Sequence, residues 1–211
     1  STSESIEITK MADSIGVDGI MIVTPYYSKP SQHGILRHFE EISKITDLPI
    51  MAYNIPGRTS TLIELETLQT LVDDIGIHSI KDAVGDFEFS KKQLELLKDK
   101  VDIYSGNDNQ TYDFVINGGV GVVSVASHVV GDEISEMISF AKDNDLEKAE
   151  EINMQLSNLF EAIFEEPSPG PIKKILSESW EEVGEPLLPI TSITPELANK
   201  IRGFYKKIKE N

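Results

Sequence analysis

The sequence contains no cysteine in its 211 residues and no hydrophobic run long enough to span a lipid bilayer. The missing cysteine excludes a disulfide framework, a thiolate nucleophile and a thiolate metal site. The first residues also lack the basic-then-apolar pattern of a secretory signal, and we interpret the start as an internal cut in a longer chain. Together these absences predict a cytoplasmic globular protein.

Basic residues are scarce as well. The chain has 19 lysines and arginines against 36 aspartates and glutamates, which gives a formal net charge of -17 and a pI near 4.6. A surface of this charge repels the phosphate backbone of nucleic acids and anionic lipid headgroups, so we expect neither nucleic acid nor a membrane as a partner. The four histidines lie in separate segments without the spacing of metal ligands. We therefore predict no metal site.

Short apolar runs alternate with helical patterns along the first part of the chain. After an opening helix, for which Ser1 and Glu4 form a possible capping box, five runs are typical of strands buried on both faces of a parallel sheet. The runs are residues 19–24, 49–53, 77–81, 101–105 and 121–125. This alternation predicts an α/β fold, either an open doubly wound sheet or part of a TIM (β/α)8 barrel.

The strand signals cease near residue 143. Beyond it, three segments show helical spacing, at residues 146–164, 172–180 and 195–208. We therefore predict two domains, a partial (β/α) barrel at residues 1–143 and a C-terminal helical domain at residues 144–211.

Functional residues of parallel α/β folds lie where the strands end, and Lys81 is the unusual residue there. It closes an apolar strand, where desolvation disfavours the ammonium form and leaves an amine that can attack a carbonyl. Tyr53 ends the preceding strand with a phenol that can pass protons, and Arg58 follows in a loop where its guanidinium can clamp a carboxylate. The alternatives are a lysine that only ends a strand at the surface and an arginine in a solvent-exposed turn.

Four short segments resemble motifs of the dihydrodipicolinate synthase and N-acetylneuraminate lyase family, in the family's order and at its spacing. Their sequences are VTPYYSKP at residues 23–30, YNIPGRT at 53–59, IKDAVGD at 80–86 and SGND at 105–108. The resemblance runs from about residue 4 to the end of the chain. It implies a (β/α)8 barrel that lacks about its first three strands, so that the five strands here are strands four to eight, with a C-terminal helical extension.

The resemblance also implies catalytic residues. By it, Lys81 is the lysine that forms a Schiff base with pyruvate, and Tyr53 is the tyrosine of the proton relay. Tyr27 is similar to the second tyrosine, which in the family crosses a tight dimer interface into the neighbouring active site. A homodimer or homotetramer is therefore the implied assembly.

Three further residues are implied to bind substrate. Arg58 resembles the arginine that receives the carboxylate of the second substrate, and Gly106 and Val123 match positions whose backbone lines the pyruvate pocket. Arg58 favours aspartate 4-semialdehyde, because lyases that act on sialic acid carry a different loop there. The family uses no cofactor beyond the covalent imine with pyruvate. The implied function is a lyase, a class I aldolase that condenses pyruvate with aspartate 4-semialdehyde in lysine and diaminopimelate biosynthesis.

The sequence departs from the family pattern at three points. The missing first strands carry a pair of adjacent threonines in the family, which relay protons and hold the pyruvate carboxylate, so the chain alone is expected to have a broken relay. Asp82 stands where glutamate is common, and Gly170 stands where many relatives have a bulkier residue. Two alternatives stay open: another pyruvate-dependent 2-oxo acid aldolase or lyase, such as N-acetylneuraminate lyase, and a shortened, non-catalytic binding paralogue.

Overall fold

The computed structural model describes residues 1–210 and opens on a helix, as predicted. This helix, α1 (Thr2–Ile15), begins at Ser1, whose hydroxyl accepts the N–H of Glu4 while the Glu4 side chain reaches back to the backbone of the cap. It ends at Gly16, whose φ of +83° suits a residue without a Cβ atom. The predicted capping box is confirmed.

Strands and helices then alternate along the chain. The strands are β1 (Ile20–Val23), β2 (Ile50–Asn54), β3 (Ser79–Asp82), β4 (Asp102–Ser105) and β5 (Gly121–Val122). The helices that accompany them are α2 (Gln32–Ser43), α3 (Pro56–Thr59), α4 (Leu65–Thr70), α5 (Phe87–Leu96), α6 (Thr111–Ile116) and α7 (Ser127–Lys142). A π-helical turn, Leu71–Ile75, continues α4, and a 3-10 turn, Asp108–Gln110, precedes α6.

The three predicted C-terminal helices are confirmed with small shifts at their ends. They are α8 (Leu146–Ala162), α9 (Gly170–Ser179) and α10 (Pro195–Lys209). Thr194 caps α10, since its hydroxyl accepts the N–H of Leu197. No helix within residues 1–210 combines the length and the apolar character needed to cross a membrane.

The five strands form one parallel sheet in the order β1-β2-β3-β4-β5. Every strand lies beside the next strand of the chain, and the register aligns Val23, Tyr53, Lys81 and Tyr104 in one row near the carboxyl ends. A doubly wound sheet would reverse its strand order at a switch point, whereas a barrel adds each strand on the same side. The sequential order therefore favours part of a barrel.

Only one face of this sheet is fully buried. Ile22, Ala52, Ile80 and Ile103 are at most 8% exposed, whereas Met21 on the opposite face is 50% exposed. Successive side chains of a strand point to opposite faces, so the two sets line different sides of the sheet. The expectation that the strands are buried on both faces is wrong for this chain, because five strands do not close a barrel around the second face.

The fifth strand is shorter than predicted, since β5 ends at Val122. Beyond it, the N–H groups of Val125 and Ala126 donate to the carboxylate of Asp108 at 3.2 and 3.1 Å. A backbone donor that binds a carboxylate is not available to a β-ladder. The apolar run therefore continues after the strand has stopped.

The chain divides into two compact units. Residues 1–107 and 117–123 form the first unit, which contains the sheet, and residues 108–116 and 124 onward form the second. The second unit holds a core in which Val115, Met137 and Ala149 are buried. The predicted division at residue 143, into a partial barrel and a helical domain, stays a prediction.

Candidate active site

Lys81 and Tyr53 occupy paired positions on neighbouring strands. The register pairs Tyr53 of β2 with Lys81 of β3 and pairs Lys81 with Tyr104 of β4. Because paired residues of adjacent strands point to the same face, the lysine lies between two tyrosines on the partly exposed face of the sheet. All three side chains are half-buried.

The Lys81 amine lies over the face of the Tyr53 ring. Its Nζ atom is 4.2 Å from the ring centroid, within the range of a cation–π contact. Such a contact holds the long lysine side chain against the ring, on the strand next to its own. Once it has lost its proton, an amine held in this way can attack a carbonyl carbon, and a phenol beside it can exchange protons with the reacting atoms.

Burial raises the pKa of the Tyr53 phenol above its usual value of about 10, and the positive charge of Arg58 opposes that shift in part. The phenol is therefore protonated at neutral pH and can donate its proton. The structure thus brings together two of the residues that sequence reasoning selected first, Tyr53 and Lys81.

Arg58 belongs to the four-residue helix α3, which starts with Pro56 and is separated from the end of β2 by one residue. Proline at the first helical position is favoured because its missing N–H would have no partner there. The Arg58 side chain is exposed. The guanidinium is therefore accessible from solvent.

Gly106 approaches Lys81 very closely. A Cβ atom at Gly106 would lie 2.8 Å from Ala83 Cβ, 3.0 Å from the Asp82 carbonyl oxygen and 3.0 Å from Lys81 Cε. Its N–H donates to that same carbonyl of Asp82 at 2.6 Å. Only glycine fits without displacing a neighbour, so this position defines the wall against which the lysine stem packs.

Val123 also lies at this edge of the sheet. It follows β5, and its N–H donates to the carbonyl of Ser105 at 2.9 Å, which extends the pairing with β4 by one residue. The bond joins the backbone of Val123 to the end of β4, one residue before Gly106, and the role of Val123 in lining a pocket stays a prediction.

The chain matches the model of the dihydrodipicolinate synthetase family over residues 1–208. It is 42% identical over 195 residues to 4-hydroxy-tetrahydrodipicolinate synthase 1 of Halalkalibacterium halodurans, an alignment that covers 92% of this chain and 66% of that protein. It is 45% identical over 209 residues to the 4-hydroxy-tetrahydrodipicolinate synthase of Microcystis aeruginosa, with 99% of this chain and 70% of that protein covered. The chain belongs to the dihydrodipicolinate synthetase family.

Solved structures agree with this assignment. The dihydrodipicolinate synthase of Thermotoga maritima superposes with a TM-score of 0.95 at 32% identity, covering 99% of this chain and 72% of that one. The synthase DapA-2 of Bacillus anthracis superposes with a TM-score of 0.93 at 38% identity, covering 98% and 70%. The predicted family and the TIM-barrel fold class are confirmed. The relatives named above are 4-hydroxy-tetrahydrodipicolinate synthases. These synthases are lyases of lysine and diaminopimelate biosynthesis, which is the enzyme class predicted from the sequence.

Tyr27 lies in the loop between β1 and α2. Its side chain is 96% exposed, and its φ of +66° is unusual for a residue other than glycine. Lys29, two residues further on, also has a positive φ of +47°. The loop therefore holds an exposed aromatic side chain in a strained backbone. The family role of this tyrosine, at an interface between subunits, stays a prediction.

Sequence reasoning assigned no role to two buried polar residues that follow the tyrosine and the lysine. Asn54 and Asp82 are 0% and 2% exposed and lie on the opposite face of the sheet from Tyr53 and Lys81. The sequence contained a signal for this placement, because successive residues of a strand point to opposite faces, so a residue that follows Tyr53 or Lys81 lies on the other face of the sheet. Such a side chain needs hydrogen-bond partners.

Asp82 finds three donors in the segment that follows it. One carboxylate oxygen accepts the N–H of Val84 at 2.8 Å, and the other accepts the hydroxyl of Ser90 at 2.8 Å and the amide of Gln93 at 3.2 Å. Burial raises the pKa of Asp82, and these hydrogen bonds oppose that shift. The network ties the end of β3 to α5 directly behind the lysine.

No group of three histidine, aspartate or glutamate side chains in the described part of the chain has an arrangement that could hold a metal ion. The four histidines include His38, which is buried and whose Nδ1 lies 3.0 Å from the hydroxyl of Thr2, and His78, whose ring nitrogen accepts the N–H of Ile50 at 3.3 Å. These two rings serve local hydrogen bonds within the first unit.

Proposed function

We propose that this chain carries the Schiff-base lysine of a synthase that condenses pyruvate with aspartate 4-semialdehyde. The observation that carries the proposal is the placement of Lys81 Nζ 4.2 Å from the Tyr53 ring centroid, at the carboxyl ends of parallel strands. Lysine at the end of a buried strand with a phenol beside it provides a nucleophile and a proton donor in one place. No metal or organic cofactor takes part in the proposed reaction, since the pyruvate imine itself is the reactive species.

Carbon–carbon bond formation follows from the amine. The Lys81 amine attacks the ketone carbon of pyruvate, and water leaves as the imine forms. Loss of a proton from the methyl carbon converts the imine to an enamine, whose carbon attacks the aldehyde carbon of aspartate semialdehyde while the aldehyde oxygen takes up a proton. The amino group of the second substrate then displaces the lysine amine as the ring closes. Tyr53 gives and takes the protons in these steps.

Arg58 selects the second substrate in this proposal. Its exposed guanidinium, on the helix that follows Tyr53, can form a bidentate pair with the carboxylate of aspartate semialdehyde. Gly106 and Val123 present backbone groups to pyruvate next to the amine. The closeness of Gly106 to the lysine stem supports this assignment.

The proposed site needs residues beyond those of this chain. The chain spans 66 to 72% of the length of the relatives that it matches, and the proton relay would draw its threonines from the part of the barrel that these relatives have in addition. We place the reaction in the cytoplasm and expect a homodimer or homotetramer in which Tyr27 reaches the site of a neighbouring subunit. The exposure of Tyr26 and Tyr27, at 70% and 96%, supports a subunit interface at this loop.

Borohydride trapping tests the proposal. The intact protein that contains this chain is incubated with pyruvate, reduced, and digested for peptide mass spectrometry, beside the variants Lys81→Ala and Lys92→Ala. Lys92 is an exposed lysine of α5 and serves as the matched control. We expect one adduct on Lys81 in the unmodified protein and in Lys92→Ala, and none in Lys81→Ala.

Turnover assays separate the second substrates. Aspartate semialdehyde is compared with sialic acid and 2-keto-3-deoxy sugar acids under the same conditions. Activity on a sugar acid alone would contradict the synthase assignment and favour the lyase alternative. If pyruvate forms adducts equally on several surface lysines of the folded protein, or on none, Lys81 is not the nucleophile.

A further inference from the structure

The loop that carries Arg58 is held at its far end by two carboxamide side chains. It leaves β2 after Asn54, forms α3, and returns to the start of α4 at Leu65. A loop of this length at a surface has many conformations open to it, and each contact that fixes its ends lowers the entropy lost when a substrate binds. The contacts of the residues just before α4 therefore decide how firmly the loop is held.

Asn54 makes the first of these attachments. Its amide nitrogen donates to the carbonyl oxygen of Ile63 at 3.0 Å, and its amide oxygen accepts the N–H of Ile63 at 3.0 Å. Both Asn54 and Ile63 are 0% exposed. The side chain thus satisfies both backbone groups of one buried residue, in the way a neighbouring β-strand would.

Gln32 makes the second attachment from the first turn of α2. Its amide nitrogen donates to the carbonyl oxygen of Leu62 at 2.8 Å, and its amide oxygen accepts the N–H of Glu64 at 3.1 Å. Two carboxamides from separate elements therefore hold three consecutive residues, 62 to 64. We call this arrangement the carboxamide clasp.

The interior of the loop is fixed as well. Thr59 is 2% exposed, and its hydroxyl lies 3.1 Å from the carbonyl oxygen of Ile55 and 3.0 Å from that of Thr61 while accepting the N–H of Thr61. Ser60 reverses the chain with a φ of +56°. Arg58 is next to Thr59, so the position of its backbone follows from these contacts and from the clasp.

We infer that Asn54 and Gln32 are positioning residues that place Arg58 and thereby set the preference for an aldehyde that carries a carboxylate. The inference rests on the proposed function and deepens it, because it assigns the second-substrate selectivity to two side chains that need not touch the substrate. Leucine at either position has a similar size but leaves the loop's backbone groups without partners. The loop then samples other conformations, and Arg58 is no longer held where the substrate carboxylate arrives.

Steady-state kinetics on the intact protein test the inference. The variants are Gln32→Leu, Asn54→Leu and Arg58→Ala, with Gln155→Leu, an exposed residue of α8, as the matched control. The two aldehydes are aspartate semialdehyde and 3-aminopropanal, which keeps the amino group that releases the product and lacks only the carboxylate. We expect Arg58→Ala to reduce kcat/KM for aspartate semialdehyde roughly tenfold to a hundredfold, as expected for one lost hydrogen-bonded charge. The clasp variants should reduce it roughly tenfold, because misplacement of a binding group has effects of this order.

Selectivity is the readout that general destabilisation would not change. The ratio of kcat/KM between the two aldehydes should fall in the clasp variants and stay unchanged in Gln155→Leu, while the KM for pyruvate and the adduct on Lys81 are retained. The double variant Gln32→Leu/Arg58→Ala should be no worse than Arg58→Ala alone, since a positioning residue has no effect once the group it positions is gone. Gln32 is half-buried on a helix, so this variant remains informative if Asn54→Leu fails to fold.

The outcomes distinguish failure of the inference from failure of the proposed function. Normal trapping on Lys81 with an unchanged aldehyde ratio in Gln32→Leu, or additive losses in the double variant, would overturn the inference and leave the function intact. Absence of a Lys81 adduct in the unmodified protein would overturn the proposed function itself.

Discussion

Replacement of Gly106 by alanine tests the packing around the lysine most directly. The added Cβ would meet Ala83 Cβ at 2.8 Å, the Asp82 carbonyl oxygen at 3.0 Å and Lys81 Cε at 3.0 Å. Ordinary contacts between such atoms lie between about 3.5 and 4 Å. One or more of the three neighbours must therefore move by several tenths of an ångström.

The Lys81 stem is the neighbour that moves most easily. Asp82 O is a backbone atom that already accepts the N–H of Gly106 at 2.6 Å, and Ala83 follows it on the same backbone. We expect the residual overpacking to lower the free energy of unfolding by about 1 to 3 kcal/mol. The displacement of Cε should move Nζ off the Tyr53 ring and slow imine formation by roughly tenfold to a hundredfold.

The assay combines urea unfolding, followed by circular dichroism, with the rate of borohydride-trapped adduct formation on Lys81. Gly203→Ala is the matched control, because Gly203 lies within α10 and a Cβ there meets nothing within 4 Å. Alanine in a helix is favoured over glycine, so this control should raise the free energy of unfolding by roughly 0.5 to 1 kcal/mol and leave trapping unchanged. If Gly106→Ala keeps both the unfolding midpoint and the trapping rate, Lys81 does not pack against Gly106 and our account of the site is wrong.

Three further predictions concern protonation and assembly. Tyr53→Phe should lower turnover by about 10² to 10⁴-fold while Lys81 remains the modified residue, and an unchanged kcat would exclude Tyr53 as the proton donor. Burial lowers the pKa of His38 in the folded protein. The stability that its neutral ring contributes is therefore fully present above the pKa of the unfolded state, about 6.5. It is lost as the pH falls from there through the lower pKa of the folded state. His38→Gln should flatten this part of the pH dependence of the urea midpoint between pH 5 and 8, and equal slopes in both proteins would refute the assignment. Sedimentation velocity at several concentrations should show a homo-oligomer that Tyr27→Ala weakens, and a monomer at every concentration would contradict an interface at the tyrosine loop.

Local sequence patterns were sufficient to predict where the main strands and helices lie and which of the two each segment forms. Apolar runs of strand length between helical repeats predict the five strands, and the capping box at Ser1 and Glu4 predicts the first helix, because these signals depend on contacts a few residues apart. Motifs near strand ends also identified Lys81, Tyr53 and Arg58 as the residues to consider. The last strand was placed too long by the most, since its apolar run does not reveal that Asp108, more than ten residues earlier, takes the backbone donors that a ladder would need.

The tertiary structure alone decided how these residues meet. The sequence around Tyr53 and Lys81 does not predict the register in which their strands pair, and this register stacks the amine on the ring. It also does not predict that Gly106 packs against the lysine stem. The sequence does not predict the carboxamide clasp either, because Gln32 lies about thirty residues before the backbone groups that it binds. Register and loop closure depend on the simultaneous packing of segments distant in the chain. A sequence pattern therefore names the reactive groups, while the packed sheet and its loops set the distances at which they can react.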